Sequence, residues 1–507
     1  MINWRMKLGN DHKKWKSSER IKDVFILGVI YVAAILFLLL NSFATSPLFG
    51  AAYSGDAAMF LTIGKYWAKG TLPYVGLWDS KGPIIFGINA LGYLLLDSKY
   101  GVFLIQIVCL LVATTIIFKI FQKGNRIIAL CGTCVVLWIM LTDYAGDGTE
   151  EFALPLLCAS FYLMYDWTLQ KVEKGKSQHA PAAAFLYGSV FSFCFLTRLT
   201  NAVGVCAGVL VITITLLLNK EYKNLIKNAV AFLLGVAIVI LPFVIYFQSK
   251  GILYDAFYGT FLYNLDYAGK SDMGLSTMSF GYMCQMIAGY SGAIFLMVTG
   301  LIEILFIKER RTSGAMWAAI GAVTTAWLFR SYGFLHYGLI ALPYFPIAMT
   351  ELWSLKPAKR ELKAVCKILV CGFVFLGILG SVKTFRGQSW EHSVLRNREQ
   401  YENQQPDEKI LAAIPEEDKG SFVAYNTASD IYHRTEIKPC YPFFTMQDWA
   451  ASQSESLTKM VINTYKNGSA KWILVSGDPK ETLIYETLES RYYVEKTEEN
   501  YTLYHLK

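Results

Sequence analysis

Residues 24–46, VFILGVIYVAAILFLLLNSFATS, decide the class of fold. They carry no charged side chain. A helix of about 20 residues rises roughly 30 Å, the thickness of a bilayer's hydrocarbon core. The run is too long for the apolar part of a secretory leader, and no small-residue cleavage site follows it cleanly. It reads as a retained first span. A basic, polar stretch, MINWRMKLGNDHKKWKSSERIK, precedes it.

Outward from this stretch the pattern repeats. Apolar runs recur near 101–121, 127–142, 150–166, 182–198, 201–218, 228–247, 284–307, 313–329, 334–353 and 364–382. With the first they make about eleven spans. The whole chain of 507 residues is 54% hydrophobic and 17% charged, with a mean hydropathy of +0.36. A soluble chain carries roughly 25% charged residues. The composition therefore predicts a polytopic α-helical membrane protein.

The formal net charge of +8 does not point to nucleic acid, because the cations sit between apolar runs. They mark every alternate connection: Lys119, Lys123 and Arg126; Lys171, Lys174 and Lys176; Lys220, Lys223 and Lys227; Lys308, Arg310 and Arg311; Lys356, Lys359, Arg360 and Lys363. The positive-inside rule puts these, and the N-terminus, in the cytoplasm. The remaining connections, and everything after residue 382, fall outside. Residues 1–23 are then a cytoplasmic segment, 24–382 a membrane domain, and 383–507 an extracytoplasmic domain. Most of the ten cysteines lie inside apolar runs, so no disulfide framework is implied. Cys131 and Cys134 have C-x-x-C spacing but lie mid-span, as ordinary helix positions.

Two outer segments are large. In 47–99, residues 56–69 place Met59, Phe60, Ile63 and Trp67 on one face, and Gly70 stops them. Residues 83–96 start with Pro83 at the first helical position and continue with Ile84, Ile85, Ile88, Leu91, Leu94 and Leu95. Both are too short to span, and suit helices lying along the membrane surface. The second segment, 248–283, is rich in tyrosine and glycine and reads as a partly helical flap. The tail reads as a small α/β unit. GSFVAYN and AKWILVSG are short buried strands, 455–467 and 481–489 are helices, and RYYVEKTEENYTLYHL is a closing hairpin around Glu-Asn.

Ionisable groups cluster at the outer ends of the spans. Asp56, in SGDAAMF (54–60), is a plausible helix cap, with Ser54 as an alternative. A carboxylate at the outer interface, favoured in ionised form by the helix dipole, can also take a proton from a hydroxyl. Lys81, in WDSKGPIIF (78–86), is either an interfacial lysine reaching to headgroups or a cation beside free N–H groups at a helix start, a phosphate site. Asp79 can pair with it. The loop from Asp143 to Glu151 holds four carboxylates in nine residues, Asp143, Asp147, Glu150 and Glu151. It is a solvated acidic loop, or it supplies a second acid or divalent-cation ligands facing Asp56. Arg198 and Arg330 stand at outer span ends that should be poor in cations, and Arg330 leads into His336 and Tyr337. Such groups are functional candidates for gripping a lipid phosphate, although headgroup contact and an aromatic belt also explain them. Asp430, His433 and Arg434 in the tail read as an ordinary solvated helix.

Taken together, these residues resemble the GT-C superfamily of lipid-phosphate-sugar glycosyltransferases, on the protein mannosyltransferase and aminoarabinose transferase branch. Asp56 matches that branch's acidic base, without the adjacent second acid of the mannosyltransferases. Lys81-Gly82-Pro83 matches a Lys-Pro-Pro element, with Gly82 in place of the first proline. Glu150 or Glu151 matches the acidic position before the fourth span, and His336-Tyr337 with Pro343 matches a late element. The resemblance covers roughly residues 20–350 by layout. It implies a GT-C-like membrane domain, and a sugar moved from a polyprenyl-phosphate donor to an acceptor hydroxyl on the outer face of a bacterial plasma membrane. Asp56 would be the base of an inverting single displacement. Lys81, Arg198, Arg330, His336 and Tyr337 would hold the donor phosphate. The acceptor, a cell-envelope glycan, lipid or protein, stays open, as does a divalent cation. Two other classes remain: a lipid-linked glycan ligase or polymerase, which should carry large late outer loops, and a transporter or flippase, which should show matching halves and charges at the midplane.

Overall fold

The computed structural model describes residues 2–49, 55–122, 126–140, 146–175, 177–270, 279–330, 334–355, 360–384 and 406–507. Outside them fall Ser54, Asp143, residues 271–278 and 331–333, and Lys123, Lys176, Lys356 and Lys359.

The chain is mostly helical. It opens with α1 (Ile2–Asn41), α2 (Gly55–Ala68), α3 (Pro83–Leu96), α4 (Lys99–Gln122) and α5 (Arg126–Ile139). Then come α6 (Thr149–Lys174), α7 (Pro181–Phe195), α8 (Val203–Leu218), α9 (Tyr222–Ser249), α10 (Leu253–Phe257) and α11 (Tyr263–Lys270). The last before the tail are α12 (Phe280–Gly289), α13 (Ser291–Phe306), α14 (Arg311–Arg330), α15 (Tyr344–Ser354) and α16 (Arg360–Thr384). Among the described residues, six helical stretches are long and apolar enough to cross a membrane: 22–41 of α1, α4, 149–172 of α6, 199–218, α9, and 360–379 of α16. The α12–α13 pair, bent by 63°, makes a seventh if it crosses as one.

Two of the other runs expected as spans have different shapes. Residues 182–198 form only the short α7. The run at 334–353 is broken: a 3₁₀ helix, Leu335–Ala341, and then α15 after Pro343. Proline has no N–H to continue a helix, and hydropathy alone does not register the break.

The two short helices fall close to the predicted ranges. Gly70, at φ +94°, ends the segment of α2, and Pro83 starts α3. Their environment differs from expectation. Residues 57–66 of α2 are buried without interruption, so this helix is covered rather than lying on a surface. Phe60 of α2, Trp78 and Phe86 of α3 belong to one apolar cluster with Phe443, Tyr432 and Leu474 of the tail. Only α3 keeps an apolar outer face, at Leu91, Leu94, Leu95 and Leu96.

The tail carries β1 (Phe422–Tyr425), β2 (Trp472–Ser476), β3 (Tyr492–Glu498) and β4 (Tyr501–Leu506) in the order β1-β2-β4-β3. β1 and β2 are parallel, and β3–β4 is a hairpin turning at Glu499-Asn500. The fully buried patterns of β1 and most of β2 explain their unalternating apolar sequences.

Candidate functional site

All nine residues singled out in the membrane domain line one cavity of about 1700 Å³: Asp56, Lys81, Asp147, Glu150, Glu151, Arg198, Arg330, His336 and Tyr337. They come from α2, α6, α14 and the breaks between helices.

Asp56 lies in the first turn of α2, where the partial positive charge of the helix N-terminus favours a carboxylate. Its side chain is 64% exposed, and its Oδ2 stands 3.9 Å from Lys81 Nζ. Lys81 is held by its backbone. Its N–H donates to Asp79 Oδ1 at 2.9 Å, and its carbonyl accepts from the Tyr74 hydroxyl at 2.9 Å. Asn264 Nδ2 donates to the neighbouring Ser80 carbonyl at 2.7 Å. Burial works against the Lys81 ammonium, but the Asp56 and Asp79 carboxylates outweigh it and raise its pKa. For Asp79 burial wins, and its carboxyl is raised despite Lys81.

Gly82 joins this turn to the end of α7. Its N–H donates to Thr197 O at 3.1 Å, and Ile84 N–H donates to Leu196 O at 3.0 Å. A Cβ on residue 82 would stand 2.1 Å from Leu196 O. A side chain has no room there, and a proline would also lose the donor, which is the physical reason for glycine at this point. It also corrects an expectation. The Gly82 and Ile84 N–H groups at the start of α3 are bonded to backbone carbonyls, and Pro83 has none, so they do not form an open anion cradle.

Arg198 follows immediately. Its Nη1 donates to Glu150 Oε1 at 2.5 Å, and its guanidinium lies 3.4 Å from the centroid of Tyr337 and 5.5 Å from that of Trp327. Stacking and ion pairing together fix its plane. His336 packs edge-on to Tyr337, ring centroids 4.5 Å apart. Arg330 closes α14, where the helix dipole favours a cation.

The described carboxyls of the acidic loop, Asp147, Glu150 and Glu151, are buried rather than solvated. Glu151 Oε2 accepts from Asp147 N–H at 2.9 Å and from Gln106 Nε2 at 2.8 Å. Asp147 Oδ1 accepts from Asn89 Nδ2 at 3.0 Å. These two carboxyls thus tie the turn at 146–151 to α3 and α4. Burial pushes the Asp147 carboxyl well above the usual range. Among the described residues no group of three or more His, Cys, Asp and Glu side chains is placed to hold a metal ion.

The other side of α2 belongs to the tail. Ser429 Oγ donates to Gly55 O at 3.0 Å, one residue before Asp56. His433 Nε2 lies 3.0 Å from both Ala58 O and Thr62 Oγ1. Lys65 pairs with Glu436, and Trp78 N–H donates to Pro442 O at 2.9 Å. Burial lowers the His433 imidazole to about 4. The solvated helix expected at 430–434 is therefore a docking contact. Arg434 is neutralised by Asp407, Glu408 and Asp430 at 2.5, 2.8 and 3.2 Å. A charged triplet resembles a solvated face in sequence, and its partners lie too far along the chain to be seen. Thr445, Met446, Trp449 and Ala450 of the tail complete the cavity wall, and sequence reasoning did not find them.

Residues 15–363 match the family model of the competence-induced protein Ccs4 N-terminal domain. No curated protein matches the chain. Among solved structures, ArnT from Cupriavidus metallidurans bound to undecaprenyl phosphate is similar over 94% of this chain and 97% of that one, with 10% identity and a TM-score of 0.54. The apo state of the same protein is similar over 96% and 98%, with 11% identity and a TM-score of 0.53. At such identity the likeness is one of fold alone. With a family model matched over most of its length, the chain belongs to the family of the competence-induced protein Ccs4 N-terminal domain.

Proposed function

We propose that this chain is an integral-membrane glycosyltransferase of the polyprenyl-phosphate-dependent kind. It moves a sugar to an acceptor hydroxyl on the outer face of a bacterial plasma membrane, with the N-terminus inside and the tail outside. The observation that carries this reading is the character of Asp56. It is an exposed carboxylate opening into a cavity in which Glu150 is held by Arg198, Glu151 by Gln106 and Asp147 by Asn89. The likeness in fold to a protein solved with undecaprenyl phosphate supports the donor class.

In this mechanism Asp56 takes the proton from the acceptor hydroxyl. The acceptor oxygen forms the new bond to the anomeric carbon, and the bond from that carbon to the phosphate oxygen breaks on the opposite side. The configuration inverts. Polyprenyl phosphate leaves with the electron pair, its charge met by Lys81 and Arg330, with Arg198, Tyr337 and His336 shaping the wall behind it. Preorganised cations at the leaving group stabilise the transition state more than the ground state.

The test is the purified chain in lipid nanodiscs, given polyprenyl-phosphate hexoses and pentoses with envelope glycan as acceptor. Release of polyprenyl phosphate, with an inverted anomeric configuration in the product, is expected. Retained configuration would exclude the single displacement. An absence of release with every donor, while labelled lipid crosses the bilayer of sealed vesicles carrying the chain, would favour a flippase.

A further inference from the structure

We propose that Trp449, displayed by the tail at the cavity wall, is a stacking platform for a pyranose ring of the acceptor, which makes the acceptor a glycan. The inference rests on the transferase reading above and names the substrate class of its second site.

Trp449 sits in the short helix Gln447–Ser452, whose Gln447 and Ala451 are buried. It is nonetheless 51% exposed, whereas Trp472 in β2 is 4% exposed. A half-exposed indole in the cavity wall presents a large, flat apolar face. The frame around it is rigid. Gln447 Nε2 donates to Ala424 O at 2.9 Å and Phe443 O at 3.0 Å, and its Oε1 accepts from Asn426 N–H at 2.7 Å. Asp448 and Asn426 bond each other twice, at 2.7 and 3.0 Å. Two left-handed residues flank this frame, Met446 at φ +46° and Asn426 at φ +55°. Such conformations cost free energy in non-glycine residues and gather at binding sites. Tyr267 of α11 meets the indole edge-on, ring centroids 6.0 Å apart, and forms the corner of the platform.

The surroundings favour a sugar over an acyl chain. A pyranose has a C–H face, which seats on the electron-rich face of an indole, and a rim of hydroxyls. The same cavity offers the polar groups of Asp79, Ser80, Asn264 and Thr445 for the rim, and the open carboxylate of Asp56 for the reacting hydroxyl. An acyl chain would set apolar surface against this polar and charged wall. Trp449 also stands on a different element from the cations assigned to the donor.

The test uses 5-fluorotryptophan-labelled Asp56→Asn protein in nanodiscs, with the Trp449 fluorine signal identified by its loss in Trp449→Phe. Maltotriose, chitotriose and decyl phosphate are titrated in turn. The expected result is a saturable shift of the Trp449 signal with at least one saccharide. That binding, followed by the saccharide's own saturation-transfer signal, weakens about tenfold in Trp449→Ala and is largely kept in Trp449→Tyr. Unchanged resistance of the tail to protease controls for folding. A shift with decyl phosphate alone, or with none of the three, overturns the proposal. Binding is read without turnover, so saccharide binding in a protein that transfers no sugar would count against the transferase reading alone. Sugar transfer without saccharide binding at Trp449 would count against this inference alone.

Discussion

Two carboxylate–cation pairs face the same cavity, and they are built differently. Glu150 and Arg198 meet at 2.5 Å with side chains 4% and 18% exposed. Asp56 and Lys81 stand 3.9 Å apart with side chains 64% and 26% exposed. A buried, closed pair is expensive to break, because removing one partner strands the other charge away from water. An open, hydrated pair adds little stability, and its members remain able to change partners. In the proposed mechanism the closed pair serves as architecture, and the open pair does the chemistry. The two should rank in opposite order for stability and for activity.

The stability ranking can be broken by mutation. Glu150→Ala leaves the Arg198 guanidinium without its carboxylate and should cost about 3–5 kcal/mol, read as a loss of monodisperse protein and a lower thermal midpoint in detergent. A Glu150→Gln, Arg198→Met double variant should recover part of that loss. No loss in Glu150→Ala would mean that the closed pair is not architecture.

The next effect concerns the docking of the tail behind Asp56. The His433 imidazole is half-buried against α2, and desolvation lowers it to about 4 against an ordinary 6.5. Above 6.5 neither state carries the proton and the group is silent. As pH falls from 6.5 toward 4, the undocked or unfolded state takes up a proton that the docked state refuses. Stability should then decline, by up to ~3 kcal/mol, and level off below 4. His433→Gln, which keeps a donor for Ala58 O, should flatten this part of the profile. The comparison is sharpened if sugar transfer falls with it, because the same contact braces the turn that carries Asp56.

Smaller again is Gly82→Ala. The new Cβ would meet Leu196 O at 2.1 Å, forcing the Lys81 turn away from the segment that carries Arg198. A cost of about 1–3 kcal/mol is expected, with a larger drop in activity than in stability, since the spacing between the two pairs changes. Smallest for stability are Asp56→Asn and Lys81→Met, each expected within about 1 kcal/mol of the parent by thermal midpoint.

Much of this arrangement was legible in the sequence, for physical reasons. Apolar period and punctuation located α2 and α3, since Gly70 and Pro83 act locally on the backbone. The β3–β4 hairpin was equally local, with Glu499 at φ +51° in its turn. The sidedness of the charges brought Asp56, Lys81, Arg198, Arg330, His336 and Tyr337 to one end of the bundle, and they line one cavity. What stayed hidden depends on long-range contact. His433 lies 371 residues from Thr62, and nothing in HRTE marks it as an anchor. The burial of α2 was misjudged because a helix covered by a distant domain and one lying on a membrane share the same amphipathic pattern. Hydropathy also overstated the continuity of 334–353, where Pro343 and a 3₁₀ turn intervene. Trp449 gave no signal, since an exposed aromatic is indistinguishable from a core aromatic until its neighbours are placed.

The most direct test of the central claim is polyprenyl-phosphate release by the parent and Asp56→Asn proteins side by side in nanodiscs, at matched thermal midpoints. A positioned general base contributes about 10²–10⁴-fold. The account predicts a loss of that size in Asp56→Asn with donor binding retained. Undiminished release from a folded Asp56→Asn protein would contradict it.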